Sequence, residues 1–201
     1  SDNQRGRQQW RDALQLSRDD KSIEEVILSG GDPLVATDEQ LQALVAQIAG
    51  IAHVRRLRIH TRLPVVIPAR ITDSLLDAIT HPRLQTIVVI HCNHASEMDE
   101  SVASALAALR SRGITLLNQS VLLADINDTL EAQLALCQRL FATGVLPYYL
   151  HLLDKVQGAA HFDVPEHHAR MLLEGLKARL PGYMVPRLVR EVEGATSKVG
   201  L

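Results

Sequence analysis

The chain has 201 residues, enough for one domain with a sizeable core, and 46% of them are hydrophobic. Its formal net charge of −2 gives no electrostatic basis for binding nucleic acid or a membrane surface. No apolar run approaches the ~20 residues of a membrane helix, and Cys92 and Cys137 match neither a disulfide framework nor a metal knuckle, so we predict a cytoplasmic protein.

Short β-rich segments alternate with helical patterns along the whole chain. Strands are predicted over residues 23–29, 54–60, 86–91, 114–122, 145–150 and 184–189. Most of them are continuous apolar runs, which are typical of strands covered on both faces in a parallel sheet. Helices are predicted over residues 10–16, 38–49, 99–112, 128–142 and 165–180, with Gly113 and Gly144 ending two of them.

This alternation predicts an α/β fold with a parallel sheet, open or closed into a barrel, in a single domain over residues 1–201. The chain begins on a helix, whereas a β/α barrel normally begins on a strand. We therefore expect a partial (β/α) barrel that lacks its front.

In such folds the chemistry lies at the carboxyl ends of the strands. Polar residues of this chain collect at those ends: Gly30, Gly31 and Asp32; His60, Thr61 and Arg62; His91, Asn93 and His94; Gln119 and Ser120; and Asp154.

The glycine pair leaves backbone N–H groups accessible to a ligand, because no side chain blocks the approach. Asp32 then either holds a cationic amine or caps a tight strand-to-helix turn. Arg62, at the end of its strand, is the best candidate for binding an anion. His91 and His94 lack the partner pair that zinc requires, so no metal ligands are predicted.

Two further residues have both a functional and a structural interpretation. Asp154 follows an apolar strand and either binds a substrate amine or forms a salt bridge with Lys155 or a turn cap. Lys198 follows a loop of small residues and either forms a Schiff base with a carbonyl cofactor or belongs to a frayed tail.

Five segments form a specific pattern when they are taken in order. They are residues 26–34 (VILSGGDPL), 58–72 (RIHTRLPVVIPARIT), 91–94 (HCNH), 118–123 (NQSVLL) and 147–150 (PYYL). This pattern resembles the lysine 2,3-aminomutase family of radical S-adenosylmethionine enzymes. Residues 151–162 are most similar to the bacterial branch that makes (R)-β-lysine for elongation factor P.

The resemblance implies an isomerase that converts L-α-lysine to (R)-β-lysine with S-adenosylmethionine, pyridoxal phosphate and a [4Fe–4S] cluster. Gly30, Gly31 and Asp32 match the turn that receives the methionine amino group. The family residues that line the cofactor pocket are matched by His60, Asn93, Gln119 and Ser120. Lys198 matches the lysine that holds pyridoxal phosphate. The two acids that bind the side-chain amine of substrate lysine are matched by Asp154 and Glu191.

The three-cysteine cluster motif of the family, C-x3-C-x2-C, does not occur in these 201 residues. Cluster ligation needs thiolates held together, so we expect an inactive fragment of a longer enzyme. Its cut strand edge would favour self-association. The alternatives are a non-catalytic partial barrel that still binds pyridoxal phosphate or a nucleoside, and a cluster-free lyase that uses Lys198 as its Schiff-base lysine.

Overall fold

The computed structural model describes residues 2–153, 160–190 and 199–200. In these residues seven strands form one sheet, ordered as they occur in the sequence. The strands are β1 Glu25–Leu28, β2 Arg56–Thr61, β3 Gln85–His91, β4 Thr115–Leu122, β5 Leu146–Leu152, β6 Arg187–Arg190 and β7 Val199–Gly200. Neighbours from β1 to β6 pair in parallel, whereas β7 pairs antiparallel with β6.

Seven helices accompany the strands in the described residues. They are α1 Asp2–Asp19, α2 Asp38–Ala49, α3 Leu63–Val66, α4 Asp73–Ile79, α5 Glu100–Ser111, α6 Leu130–Ala142 and α7 Glu166–Lys177. Of these, α2, α4, α5 and α6 each begin at a side-chain N-cap. Thr37 and Gln40 form a reciprocal capping box at the start of α2. Gly113 (φ 75°) and Gly144 (φ 81°) follow α5 and α6 with left-handed backbone, as predicted for C-terminal glycines.

One face of the sheet carries the apolar side chains that pack against the helices. Leu28, Ile59, Val88 and Leu116 are in register across β1–β4, and all four are buried in one hydrophobic cluster with residues of the helices. A second cluster joins α7 to the same face of β4–β6 through Leu122, Leu150, Leu152 and Leu188. Parallel strands connected in sequential order by right-handed crossovers place their helices on one side of the sheet.

The other face of the sheet is called the inner face here. Because side chains alternate along a strand, it carries Ile27, Arg58, His60, His91, Gln119, Tyr149 and Arg187. The six parallel strands with helices against one face form a partial (β/α) barrel, so the predicted fold class is confirmed.

The predicted strands and the five predicted helices are all present, with ends shifted by a few residues. The first helix is longer than predicted and spans Asp2–Asp19, because its polar first turns carry no apolar pattern from which a helix could be predicted. The short helices α3 and α4 were not predicted. None of the helices in the described part of the chain has the length and apolarity needed to cross a membrane.

Candidate functional site

A cleft of about 410 Å³ opens where β1, β2 and β3 end. The residues that line it are Ser29, Gly30, Gly31, Asp32, His60, Thr61, Arg62 and His91. Four of these eight are predicted site residues, namely Gly30, Gly31, Asp32 and His60, and a fifth is Arg62, the predicted anion-binding residue. The cleft therefore brings together the turn after β1 and the end of β2.

The glycine turn has the backbone conformation that glycine permits and other residues resist. Gly30 has φ 78° and Gly31 has φ 50°, both in the left-handed region. A Cβ placed on either residue would meet no atom within 4 Å. The backbone of the turn is therefore open to the cleft.

Asp32 is held by three hydrogen bonds from the chain itself. Its Oδ1 accepts from Thr61 Oγ1 at 2.6 Å and from Leu34 N at 3.0 Å, and its Oδ2 accepts from Arg62 N at 2.7 Å. Asp32 is thus the N-cap of the short 3-10 helix Pro33–Val35 that follows it. Capping the turn after the strand is one of the two roles that the sequence predicts for Asp32. It also ties the turn after β1 to the end of β2.

His60 and His91 come from neighbouring strands and face the same side. Their ring centroids are 6.4 Å apart, and both residues are half-buried. His91 is in register with Gln119 of β4, which is in register with Tyr149 of β5 and then with Arg187 of β6. Four polar side chains therefore form a row across the inner face.

Gln119 and Ser120 lie on opposite faces of the sheet. Gln119 is 6% exposed and belongs to the row on the inner face. Ser120 is in register with Leu150, which is buried against α7, and its hydroxyl donates to the Tyr149 carbonyl at 3.4 Å. The structure therefore does not bring Ser120 together with the other predicted pocket residues.

Asn93 has a structural contact that its sequence position did not indicate. Its side-chain Oδ1 accepts from Val121 N at 2.9 Å, which links the end of β3 to β4. Asn118 makes a similar link one position earlier, because its amide exchanges two hydrogen bonds with the backbone of Cys92.

Asn127, which was not predicted, completes this network. It is fully buried, and its Nδ2 donates to the carbonyls of Asn93 (2.8 Å) and Val121 (2.9 Å). Its Oδ1 accepts from Leu123 N at 2.8 Å. Asn127 therefore joins the segments that follow β3 and β4. The sequence carries no distinct signal for it, since asparagine in a polar loop is ordinary.

The His91–His94 segment is held by hydrogen bonds to Glu97. Glu97 Oε2 accepts from Asn93 N at 2.7 Å and from His94 N at 2.9 Å. The ring Nδ1 of His94 accepts from Ser96 N and caps the next turn. Within residues 2–153, 160–190 and 199–200, no three histidine, cysteine or acidic side chains converge as metal ligands.

Both cysteines are buried and favour the protonated thiol. Burial, together with the nearby Glu97 carboxylate, raises the pKa of Cys92 to about 12. Burial alone raises the pKa of Cys137 to about 12. Cys92 directly follows β3 and Cys137 lies in α6, and no other cysteine accompanies either of them in these 201 residues. The two thiols therefore do not supply the set of thiolates that a cluster needs.

Asp154, Glu191 and Lys198 lie outside the described residues. In sequence, Asp154 follows the end of β5 by two residues and Glu191 directly follows β6. The antiparallel pair of β6 and β7 joins Arg190 to Val199, the two residues that flank the segment 191–198. The roles predicted for these three residues stay predictions.

No protein-family model matches the sequence of this chain. It is 49% identical over 201 residues to L-lysine 2,3-aminomutase of Escherichia coli (strain K12), covering 100% of this chain and 59% of that protein. It is 48% identical to L-lysine 2,3-aminomutase of Haemophilus influenzae, covering 98% and 58% of the two chains. The L-lysine 2,3-aminomutase of Clostridium subterminale is 36% identical, with 92% and 44% covered.

Among solved structures, a spore photoproduct lyase aligns with a TM-score of 0.45 at 15% identity, covering 86% of this chain and 52% of that one. The chain spans a little over half the length of the Escherichia coli and Haemophilus influenzae relatives. Across the span that they share, nearly half of the positions are identical. Over nearly its whole length the chain is therefore similar to the L-lysine 2,3-aminomutases of these organisms.

Proposed function

We propose that this chain is part of an enzyme that isomerises L-α-lysine to (R)-β-lysine. The observation that carries the proposal is the 49% identity over all 201 residues to a protein named L-lysine 2,3-aminomutase. The finer proposal, that the product serves modification of elongation factor P, is supported by the resemblance of residues 151–162 to that bacterial branch. We also propose a cytoplasmic location, where Cys92 and Cys137 stay as free thiols.

The proposed cofactors are S-adenosylmethionine, pyridoxal phosphate and a [4Fe–4S] cluster. When bound, they supply the radical and the electron-accepting ring that the rearrangement requires. The open glycine turn suits S-adenosylmethionine, because the backbone of Gly30 and Gly31 faces a cleft without side chains in the way. A cluster needs several thiolates held together, and this sequence has only Cys92 and Cys137, on separate elements, so the cluster ligands would come from other residues of a full-length protein.

The proposed roles of the chain's own residues are binding and orientation. Asp32 positions the glycine turn against the end of β2, since all three of its hydrogen bonds are made within the chain. Gln119 and His60 present polar groups on the inner face. Lys198 would hold pyridoxal phosphate, and Asp154 and Glu191 would bind the lysine side-chain amine.

Turnover of L-lysine by a full-length protein that contains these 201 residues tests the proposal. With iron, sulfide, pyridoxal phosphate, S-adenosylmethionine and a reductant, we expect β-lysine, measured by chromatography after derivatisation. The same mixture without S-adenosylmethionine is the control and should be inactive. Turnover without iron would instead identify a cluster-free lyase, and binding of pyridoxal phosphate without any turnover would identify a non-catalytic barrel.

Self-association through β1 is a second, separate proposal. In the described residues β1 is the end strand of the sheet and has a hydrogen-bonded neighbour only in β2. Ile27 at its centre is 46% exposed, and unpaired edge strands are templates for another chain. The front helix α1 packs Leu14 into the core on the helix side of the sheet.

We therefore expect the 201-residue chain to form dimers or larger species as its concentration rises, measured by light scattering over a dilution series. Replacing Ile27 by lysine should shift the chain towards monomer, whereas Val35→Lys, at an exposed site outside the strand, should not. A monomer at high concentration, with the amides of Val26 and Leu28 protected from exchange, would count against the exposed edge.

A further inference from the structure

The glycine turn after β1 needs a partner outside itself to hold its shape. Glycine has the least restricted backbone of all residues, so two adjacent glycines can adopt many conformations. Here both have left-handed φ angles, 78° for Gly30 and 50° for Gly31. The side chain of the next residue, Asp32, is fixed by hydrogen bonds, and its partners therefore hold the turn in the orientation that faces the cleft.

One of these partners, Thr61, is the last residue of β2 and is only 1% exposed. It is in register with Ile90 of β3, so its backbone belongs to the rigid part of the sheet. A β-branched side chain has few χ1 rotamers, which keeps the hydroxyl in a fixed place. Thr61 Oγ1 donates to Asp32 Oδ1 at 2.6 Å and accepts from Leu63 N at 3.1 Å. A hydroxyl has one proton to donate, so Thr61 has none left for a ligand although it lines the cleft.

The far end of the same loop is held by a different side chain. Arg70 Nε donates to the Leu34 carbonyl at 2.8 Å, and its Nη2 donates to the Ala36 carbonyl at 3.0 Å. These two bonds do not involve Thr61. Loss of the Thr61 hydroxyl would therefore free the glycine turn while the rest of the loop stayed attached to the segment after β2.

We propose that Thr61 is a positioning residue for the glycine turn. Through Asp32, its hydroxyl keeps the backbone of Gly30 and Gly31 in the conformation that is open to the cleft. The ligand whose affinity this sets, S-adenosylmethionine, rests on the proposed function. The end of β2 thus controls a site that the residues after β1 form, and Thr61 acts on the ligand only through the turn.

The first experiment does not depend on the proposed function and uses NMR on the 201-residue chain. Thr61→Val removes the hydroxyl and keeps the shape of the side chain, so the amide signals of Gly30 and Gly31 should move, whereas Thr61→Ser should leave them near their wild-type positions. Thr86→Val is the matched control, because Thr86 is also buried and donates to the Ile79 carbonyl at 2.9 Å, but it lies at the opposite end of the sheet. The glycine signals should not respond to it. Unmoved glycine signals in a folded Thr61→Val chain overturn the proposal.

The wild-type chain gives a test that requires no variant to fold. The Thr61 hydroxyl proton is buried and hydrogen-bonded, so it should exchange with water slowly enough to be observed, with a cross-peak to the Leu63 amide. A hydroxyl proton in fast exchange with water would contradict the bond to Asp32 and overturn the proposal.

A further experiment tests the ligand in the full-length protein. Thr61→Val should raise the half-saturating concentration of S-adenosylmethionine by roughly 5- to 100-fold, the range for a buried polar group that loses one partner. The KM for L-lysine and kcat should stay within about twofold, because the hydroxyl touches neither the substrate nor the reacting atoms. Thr61→Ser should restore most of the affinity, and an unchanged half-saturating concentration in Thr61→Val overturns the proposal. Failure of the proposed function would appear differently, as a wild-type protein without turnover whose glycine signals still respond to Thr61→Val.

Discussion

Replacement of Asn127 by alanine is expected to lower the free energy of unfolding by about 3–5 kcal/mol. Three hydrogen bonds would be lost, and the carbonyls of Asn93 and Val121 and the N–H of Leu123 would be left without this partner. A buried polar group without a partner costs about 1–3 kcal/mol. Urea unfolding followed by circular dichroism measures the change, which is large against a total stability of about 5–15 kcal/mol.

Two variants separate this effect from side-chain loss in general. Gln47→Ala removes an exposed amide in α2 and should change stability by less than about 0.5 kcal/mol. Asn127→Asp keeps the acceptor for Leu123 but places an oxygen against two carbonyls, so it should be as destabilising as alanine. An Asn127→Ala chain within about 1 kcal/mol of wild type would show that the network is not needed.

Replacement of Asp154 by asparagine in the full-length enzyme is expected to weaken L-lysine binding by about 2–5 kcal/mol. This is the typical cost of removing one partner of a desolvated, hydrogen-bonded charge pair, and it corresponds to roughly 30- to 5,000-fold in Kd. The expectation rests on the match of Asp154 to an acid that binds the substrate amine. Calorimetric titration with L-lysine measures it, and the affinity for pyridoxal phosphate should change far less.

Asp163→Asn is the matched control, because Asp163 is an exposed acid in the same stretch between β5 and α7. It should leave lysine affinity unaltered. If Asp154→Asn binds lysine as tightly as wild type does, Asp154 does not belong to the substrate site. Equal loss of lysine and cofactor affinity would instead indicate a general disturbance of the loop.

The fold was predictable from sequence because each strand has a strong local signal. β3 illustrates this: residues 86–90 are all β-branched, and the run is continuous, as expected for a strand covered on both faces. The helix α2 has an apolar stripe and a capping box, and its predicted bounds match Asp38–Ala49. The short helix α4 has only seven residues, too few for the apolar period to stand out.

The site was less predictable, because it depends on contacts between strands. The cleft residues Gly30, Gly31, Asp32 and His60 follow from their positions at strand ends. Ser120 does not lie with them, since alternation puts it on the face opposite to Gln119. The bulge at Tyr148, the extra residue between Pro147 and Tyr149, has no local signal, because it is defined by how β5 pairs with β4. The contact of Asn127 with Asn93 has none either, because the two residues are 34 positions apart.

The bulge in β5 also constrains how this strand can vary in length. A strand with one residue fewer would pair with β4 without interruption, and its backbone hydrogen bonds would be more regular. The same deletion before Tyr149 would leave one aromatic ring where two now lie, while Leu150 and Leu152 kept their places against α7. Insertion or deletion of one residue in β5 could therefore add or remove a phenol in relatives with this sheet while the core stays the same.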